Sequence, residues 1–328
     1  MPGTVEVPGI FSPSFHSPLN PLSSPSCKLD EMDTIVFQSD LVTIGLFRVK
    51  PWEPRFEDSG PTKAYLIVFP RTSVTITHAG REPVITSPNV VMFYNQGQVY
   101  RRGRVSERGD VCEWFAFHPE VIVEALKPYD CAVLDRADQP FHFTHGPSDA
   151  FTYLLQRMVV EHLLHNDEPD ALFVQESMIE VLDRSVANRY RLRKQRKHSG
   201  QINPGHKELA RATLYLLATR FHEPLTLEAI ANALNYSQYH LARIFRQQTG
   251  ETIHQYLDQL RLRTALEEIT TGDKDLTSLA LTLGYSSHSH FSQSFKRTFG
   301  HPPSDWRQIA GRQVASSPQG TIFLLSPS

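Results

Sequence analysis

Side chains able to donate hydrogen bonds to phosphate oxygens and base edges recur in this sequence twice at one spacing. In Leu241-Ala-Arg-Ile-Phe-Arg-Gln-Gln-Thr-Gly250, a helical wheel of about 100° per residue gathers Leu241, Ile244 and Phe245 on one face. Tyr239, Arg243 and Arg246 lie opposite, flanked by Ala242 and Gln247. Fifty residues later comes Phe291-Ser-Gln-Ser-Phe-Lys-Arg-Thr-Phe-Gly300, in which Phe291 and Phe295 mark the inward face. Ser289, Gln293 and Lys296 lie opposite, flanked by Ser292 and Arg297. Such faces can reach the donor and acceptor pattern of a DNA major groove and the phosphates beside it. A lone polar stripe is ordinary solvated surface, but the same stripe in both copies of a repeat points to DNA contact.

These faces must be carried by helices held in a fixed relation. Ser237/Ser287, His240/His290, Phe245/Phe295 and Gly250/Gly300 are identical at an offset of 50, and Arg246/Lys296 keeps the charge. Upstream the offset is 49, pairing Ala231 with Ala280, Leu234 with Leu283 and Tyr236 with Tyr285, so one turn is a residue longer than the other. Each copy predicts a short helix (Leu227 to Leu234; Leu276 to Leu283), a tight turn and a second helix. Ser237 or Ser286/Ser287 opens the second helix and glycine closes it, the pattern of a helix-turn-helix. Ser237, Gln238 and Ser287, at the helix starts, join the candidate DNA contacts. Between the copies, Ile253 to Thr270 has the apolar spacing of one long helix, about 27 Å at 1.5 Å per residue. A rod of that length could set two reading heads about 34 Å apart, one duplex turn, so that a monomer would read a bipartite site.

At these residues the sequence resembles the AraC/XylS family of bacterial transcription regulators. The resemblance covers Glu208 to Arg307, through "LTLEAIANALNYSQYHLARIFRQQTG", "LALTLGYSSHSHFSQSFKRTFG" and "HPPSDWR". It implies direct DNA contacts from Tyr239, Ala242 and Arg243 in the first copy and from His288, Ser289 and Gln293 in the second. Ala242 stands where that family often carries a longer polar side chain, which leaves van der Waals contact, for example to a thymine methyl. The resemblance also implies RNA polymerase as a partner and an N-terminal cupin-like barrel that senses a small molecule or dimerises. For that half it rests on the strand pattern and on Phe69-Pro-Arg-Thr-Ser and Phe93-Tyr-Asn-Gln-Gly-Gln-Val-Tyr.

Charge agrees with this division. Residues 189–312 hold 18 Lys/Arg against 10 Asp/Glu, while the rest holds 15 against 25, so a basic C-terminal part follows an acidic one. A polyanion suits the former only. Upstream, β-branched and aromatic runs at Thr34 to Phe37, Leu41 to Val49, Ala64 to Phe69, Ser73 to His78, Val90 to Tyr94 and Val111 to Phe117 predict an antiparallel barrel or sandwich. Val99 to Ser106 is a further, Arg-rich run, and Pro147 to Tyr190 reads as two amphipathic helices. The expected organisation is a disordered leader over 1–30, a cupin-like sensing or dimerisation domain with a helical hairpin over 31–190, and a linker over 191–205. An all-α double helix-turn-helix domain over 206–312 and a tail over 313–328 complete it.

Other chemistries find less support. Cys27, Cys112 and Cys131 are odd in number and lack metal-ligand spacing, which suits a reducing compartment. The first 30 residues, with six Pro and six Ser, do not read as a signal peptide, and no apolar run approaches the roughly 18 residues of a membrane span. The expected location is cytoplasmic. His288 and His290 diverge by about 200° on a helix, His142 and His145 have no carboxylate cluster beside them, and Glu161-His-Leu-Leu-His165 lacks zinc-protease order. His78 is the only histidine in the strand region, so the paired histidines of metal-dependent cupins are missing; no metal, cofactor or catalytic residue is expected. Tyr94, Tyr100, Arg101 and Arg102 would suit an anionic or aromatic effector if they point inward. Two rival readings stand beside this one: a metal-independent cupin enzyme with a DNA-binding appendage, and a regulator whose barrel only dimerises.

Overall fold

In a computed structural model, which describes residues 32–198, 203–271 and 275–312, the strand runs become two antiparallel sheets. The larger contains β1 (Asp33–Gln38), β2 (Val42–Val49), β3 (Leu66–Pro70), β6 (Val90–Tyr94), β8 (Asp110–Phe117) and β9 (His145–Pro147), in the order β1-β2-β8-β3-β6-β9. The smaller contains β4 (Val74–His78), β5 (Val84–Ile85) and β7 (Tyr100–Arg104), in the order β5-β4-β7. Among the described residues the strands do not close into one barrel, a correction to the expected architecture. Pro70 has no N–H to continue the ladder, and the N–H groups of Arg71 and Thr72 both donate to Val111 O as the chain leaves for the second sheet.

Strand alternation gives the larger sheet two apolar faces. Ile67, Phe69, Val91, Phe93, Phe115 and Phe117 pack against helices, while Val68, Met92, Tyr94 and Cys112 face Val74 and Ile76 of the smaller sheet. A one-residue register slip would exchange these faces, so burial on both sides fixes the pairing of Val68 with Trp114 and with Met92. Gly45 is opposite Trp114, and a Cβ there would stand 2.1 Å from the indole.

The helical cover comprises α1 (Pro119–Leu126), a 3-10 turn (Cys131–Arg136), α2 (Ala150–His165) and α3 (Ala171–His198). Two of these answer to the expected hairpin; α1, β5 and β9 went unread. The basic run read as the start of a linker is instead helical, because α3 continues to His198; residues 199–202 lie outside the described residues, as do the leader and the tail. Asp149 caps α2 through Thr152 N. This helix is buried nearly all round: Leu155, Val159 and Val160 enter the sheet core, and Tyr153, Leu154 and Met158 enter a second core.

The C-terminal helices are α4 (Pro204–Arg220), α5 (Leu227–Leu234), α6 (Gln238–Thr249), α7 (Ile253–Thr271), α8 (Leu276–Thr282), α9 (His288–Phe299) and α10 (Pro303–Arg312). Helices α4, α5, α6 and the start of α7 form one core; the rest of α7 with α8, α9 and Trp306 forms the core that α2 joins. Arg263 of α7 is fully buried, with Nη1 donating to Pro88 O (2.7 Å) and Asn89 Oδ1 (2.9 Å) and Nη2 to Ser148 O (2.8 Å). Nearby, Tyr256 Oη lies 2.8 Å from Ser87 Oγ, and Asn89 Nδ2 donates to Tyr256 O. Arg71 and Arg157 tie Glu113 of β8 to Glu267 of α7, which also accepts from Tyr153 Oη at 2.9 Å. No described helix is long and apolar enough to cross a membrane.

Candidate nucleic-acid interface

Both helix-turn-helix units are built from the same local parts. Thr226 caps α5 by accepting from Ala229 N, and Asp275 caps α8 by accepting from Ser278 N. Each turn then needs a left-handed residue, Asn235 (φ 59°) in the first and Gly284 (φ 81°) in the second. Gly284 is constrained by space as well as by dihedral, since a Cβ would come within 2.8 Å of His222 O and 2.6 Å of the Arg261 guanidinium. Arg261 is itself fixed by donating to Phe221 O (2.7 Å) and Glu223 O (2.6 Å). The N–H of Tyr236 returns to Ala231 O and that of Tyr285 to Ala280 O, both at 3.0 Å. Ser237 and Ser287 then cap α6 and α9 by accepting from His240 N and His290 N, each at 3.2 Å. His240 stacks on Tyr236, and His290 meets Tyr285 edge-on.

On α6 the apolar face is sealed: Leu241, Ile244 and Phe245 have no exposed surface. Gln238, Tyr239, Arg243 and Arg246 are exposed, Tyr239 at 79%, with Ala242 half-buried beside them. On α9, Phe291 and Phe295 are buried, while Ser289, Gln293, Lys296 and Arg297 are exposed and His288 and Ser292 are half-buried. His288 Nε2 and Ser292 Oγ lie 3.3 Å apart, and Arg297 Nη2 is 3.6 Å from Asp258 Oδ2. Arg243, Arg246 and Lys296 have no ion-pair partner among the described residues, so their charge is free to meet a phosphate. The exposed hydroxyls of Ser237 and Ser287 accept in their caps and still have a hydrogen to donate, at helix starts that carry partial positive charge. Between the two units runs α7, nineteen residues or about 28 Å long.

The other candidate residues lie elsewhere. Tyr94, Tyr100 and Arg102 line a cavity of about 530 Å³ between the two sheets, with Phe47, Met92 and Trp114. Arg101 is exposed and does not line it, because it alternates with Arg102 along β7. Arg102 is not a free anion receptor: Nε lies 2.5 Å from Asp110 Oδ2, and Nη2 donates to Tyr100 Oη at 2.7 Å. Burial is the largest single influence and opposes the guanidinium's charge, but Asp110, by charge and hydrogen bond, together with Tyr100 and Cys112 outweighs it and raises the Arg102 pKa. Burial also pushes the Tyr94 hydroxyl well above its ordinary range, so it remains a donor. Asp110 went unread in the sequence because it lies on β8 in the other sheet, and no local spacing announces the pair. Among the described residues no group of three or more His, Cys, Asp or Glu is gathered to hold a metal ion.

A family of helix-turn-helix domains matches residues 230–309. Regulatory protein SoxS of Salmonella typhimurium is 32% identical over 102 residues, covering 31% of this chain and 95% of its own length. The probable transcription factor PqrA of Proteus vulgaris is 33% identical over 87 residues, 26% of this chain and 71% of its own. Among solved structures, ToxT from Vibrio cholerae aligns over 82% of this chain and 98% of its own, at 11% identity and a TM-score of 0.33.

Proposed function

Because this chain belongs to the AraC/XylS family of transcription regulators and is a DNA-binding regulator of that kind, we propose that α6 and α9 read successive major grooves of one duplex. The observation that carries this reading is the matched pair of outward faces, each with an unpaired cation beside amide, hydroxyl or phenol groups. In it, Tyr239, Ala242, Arg243, His288, Ser289 and Gln293 face bases. Ser237, Gln238, Arg246, Ser287, Ser292, Lys296 and Arg297 reach phosphates and groove edges, with Arg297 exchanging Asp258 for DNA.

Residues 206–312 are in this reading the DNA-binding domain, and 31–190 a cupin-like sensing unit in which two facing sheets stand in for a closed barrel. Its cavity takes a small-molecule effector at Tyr94, Tyr100 and Arg102. A route to the DNA is built in: Thr86 lines the cavity, and the next three residues hold Tyr256 and Arg263 of α7. An effector that favours one arrangement of this loop biases α7, and with it DNA affinity or contact with RNA polymerase in a bacterial cytoplasm. Exposed Leu172 and Ile179, two turns apart on one face of α3, support self-association there.

Two substitutions in the full chain test the interface. Arg243→Ala is expected to cost about 1 to 3 kcal/mol on the specific site and to relax base preference there. Lys296→Ala is expected to weaken binding to all sequences alike and to reduce the salt slope by about one charge. Unchanged affinity and unchanged sequence preference in Arg243→Ala would remove α6 from the interface.

A further inference from the structure

Resting on the reading of the two-sheet cavity as an effector site, we infer that its ligand is an uncharged, mainly apolar aromatic molecule offering one hydrogen-bond acceptor, and that anions of the same shape are rejected. The cavity's inner charges already cancel. Arg102 and Asp110 are both buried and in contact, and three of the four remaining guanidinium N–H groups go to Phe56 O, Ser59 Oγ and Tyr100 Oη. Its guanidinium carbon also lies over the Phe47 ring at 4.5 Å and the Tyr100 ring at 5.0 Å. Arg102 therefore has neither net charge to compensate nor an open fork for a second carboxylate, and an anion placed beside it would be buried without a counter-charge. Of the two effector classes that Tyr94, Tyr100, Arg101 and Arg102 suggest in the sequence, anionic or aromatic, this favours the aromatic one.

What the cavity does offer is apolar and aromatic. Leu66, Val68, Val74, Ile76 and Met92 line its walls, and Thr86 Oγ1 is spent on the backbone of Val74. Trp114 gives an indole face while its Nε1 donates to Asp33 at 2.7 Å. Tyr94 and Tyr100, ring centroids 5.0 Å apart, make an aromatic corner. Tyr94 is 4% exposed as a residue and lines the cavity; its hydroxyl makes no hydrogen bond among the described residues and is not sealed off, so it opens to the cavity. That hydroxyl is a donor aimed into the cavity, and a ligand acceptor can take its hydrogen bond there in place of solvent. A volume of about 530 Å³ suits a molecule of two or three fused rings. The remaining lining charges, Asp33, Arg55 and Lys63, are exposed and mixed in sign.

Calorimetric titration of the full chain with 2-acetylnaphthalene and with 2-naphthoate, alike in shape and different in charge, tests the inference. The ketone is expected to bind at least tenfold more tightly at neutral pH. Tyr94→Phe is expected to weaken the ketone several-fold, and Asp110→Asn, by leaving Arg102 uncompensated, to reverse the order so that naphthoate binds more tightly. Should Asp110→Asn fail to fold, the native comparison and Tyr94→Phe still decide the matter. Naphthoate binding the native chain as tightly as the ketone overturns the inference and leaves the effector cavity standing. Binding of neither compound, with no shift in unfolding temperature from either, overturns both.

Discussion

His78, at the end of β4, shows how this fold treats a titratable side chain beside the cavity. Its ring is 1% exposed, lies 5.0 Å from Tyr94, and has Nδ1 2.6 Å from Gln98 Nε2. Burial first, and then the positive charge of Arg81, lowers its pKa from 6.5 to about 4. The folded chain thus keeps His78 neutral where the unfolded chain would protonate it. Between pH 6.5 and about 4 the unfolded state binds more protons, so stability from this residue is complete above that window and is lost as the pH falls through it. Denaturant titrations across the window are expected to show His78→Gln losing less stability than the native chain. The difference in slope should approach about 1.4 kcal/mol per pH unit at mid-window. Parallel pH profiles for the two proteins would contradict it.

At the scale of elements, what could be read in the sequence depended on whether the defining signal is local. The strands announce themselves as β-branched and aromatic runs between turn residues: β4 alternates in burial, whereas β3 and β6 are buried on both faces and read as continuous apolar runs. The recognition helices do so because Leu241, Ile244 and Phe245, and their counterparts, recur at helical spacing between a serine cap and a glycine stop. β5 and β9, of two and three residues, are too short to show any period. The end of α3 is masked by charge, since a helix without an apolar stripe resembles a solvated linker in sequence. Arg263 was hidden for another reason: on a long helix an arginine reads as surface, and its acceptors come from residues 88, 89 and 148. Its burial makes α7 a fixed axle rather than a free spacer. Arg263→Met fills much of the volume but strands the carbonyls of Pro88 and Ser148. It is therefore expected to cost about 2 to 4 kcal/mol of full-chain stability, seen as a lower unfolding temperature. A variant as stable as the native chain would mean that the cage does not tie α7 down.

Over the whole molecule, the two reading units are not equivalent. The first has a core of its own, drawn from α4 to α7, whereas the second borrows Tyr153, Leu154 and Met158 from α2, which also lines the sheet core. A displacement in the N-terminal half would thus reach α9 through α2 and both units through α7. The central claim is that both units read DNA at once, at a separation set by α7. Selection of randomised duplex oligonucleotides by the full chain measures this directly. The expected outcome is a bipartite site whose two preferred elements lie about 10 to 10.5 base pairs apart, centre to centre, in a fixed relative orientation. Recovery of sequences with no shared preference, or of a single element indifferent to its flanks, would contradict it.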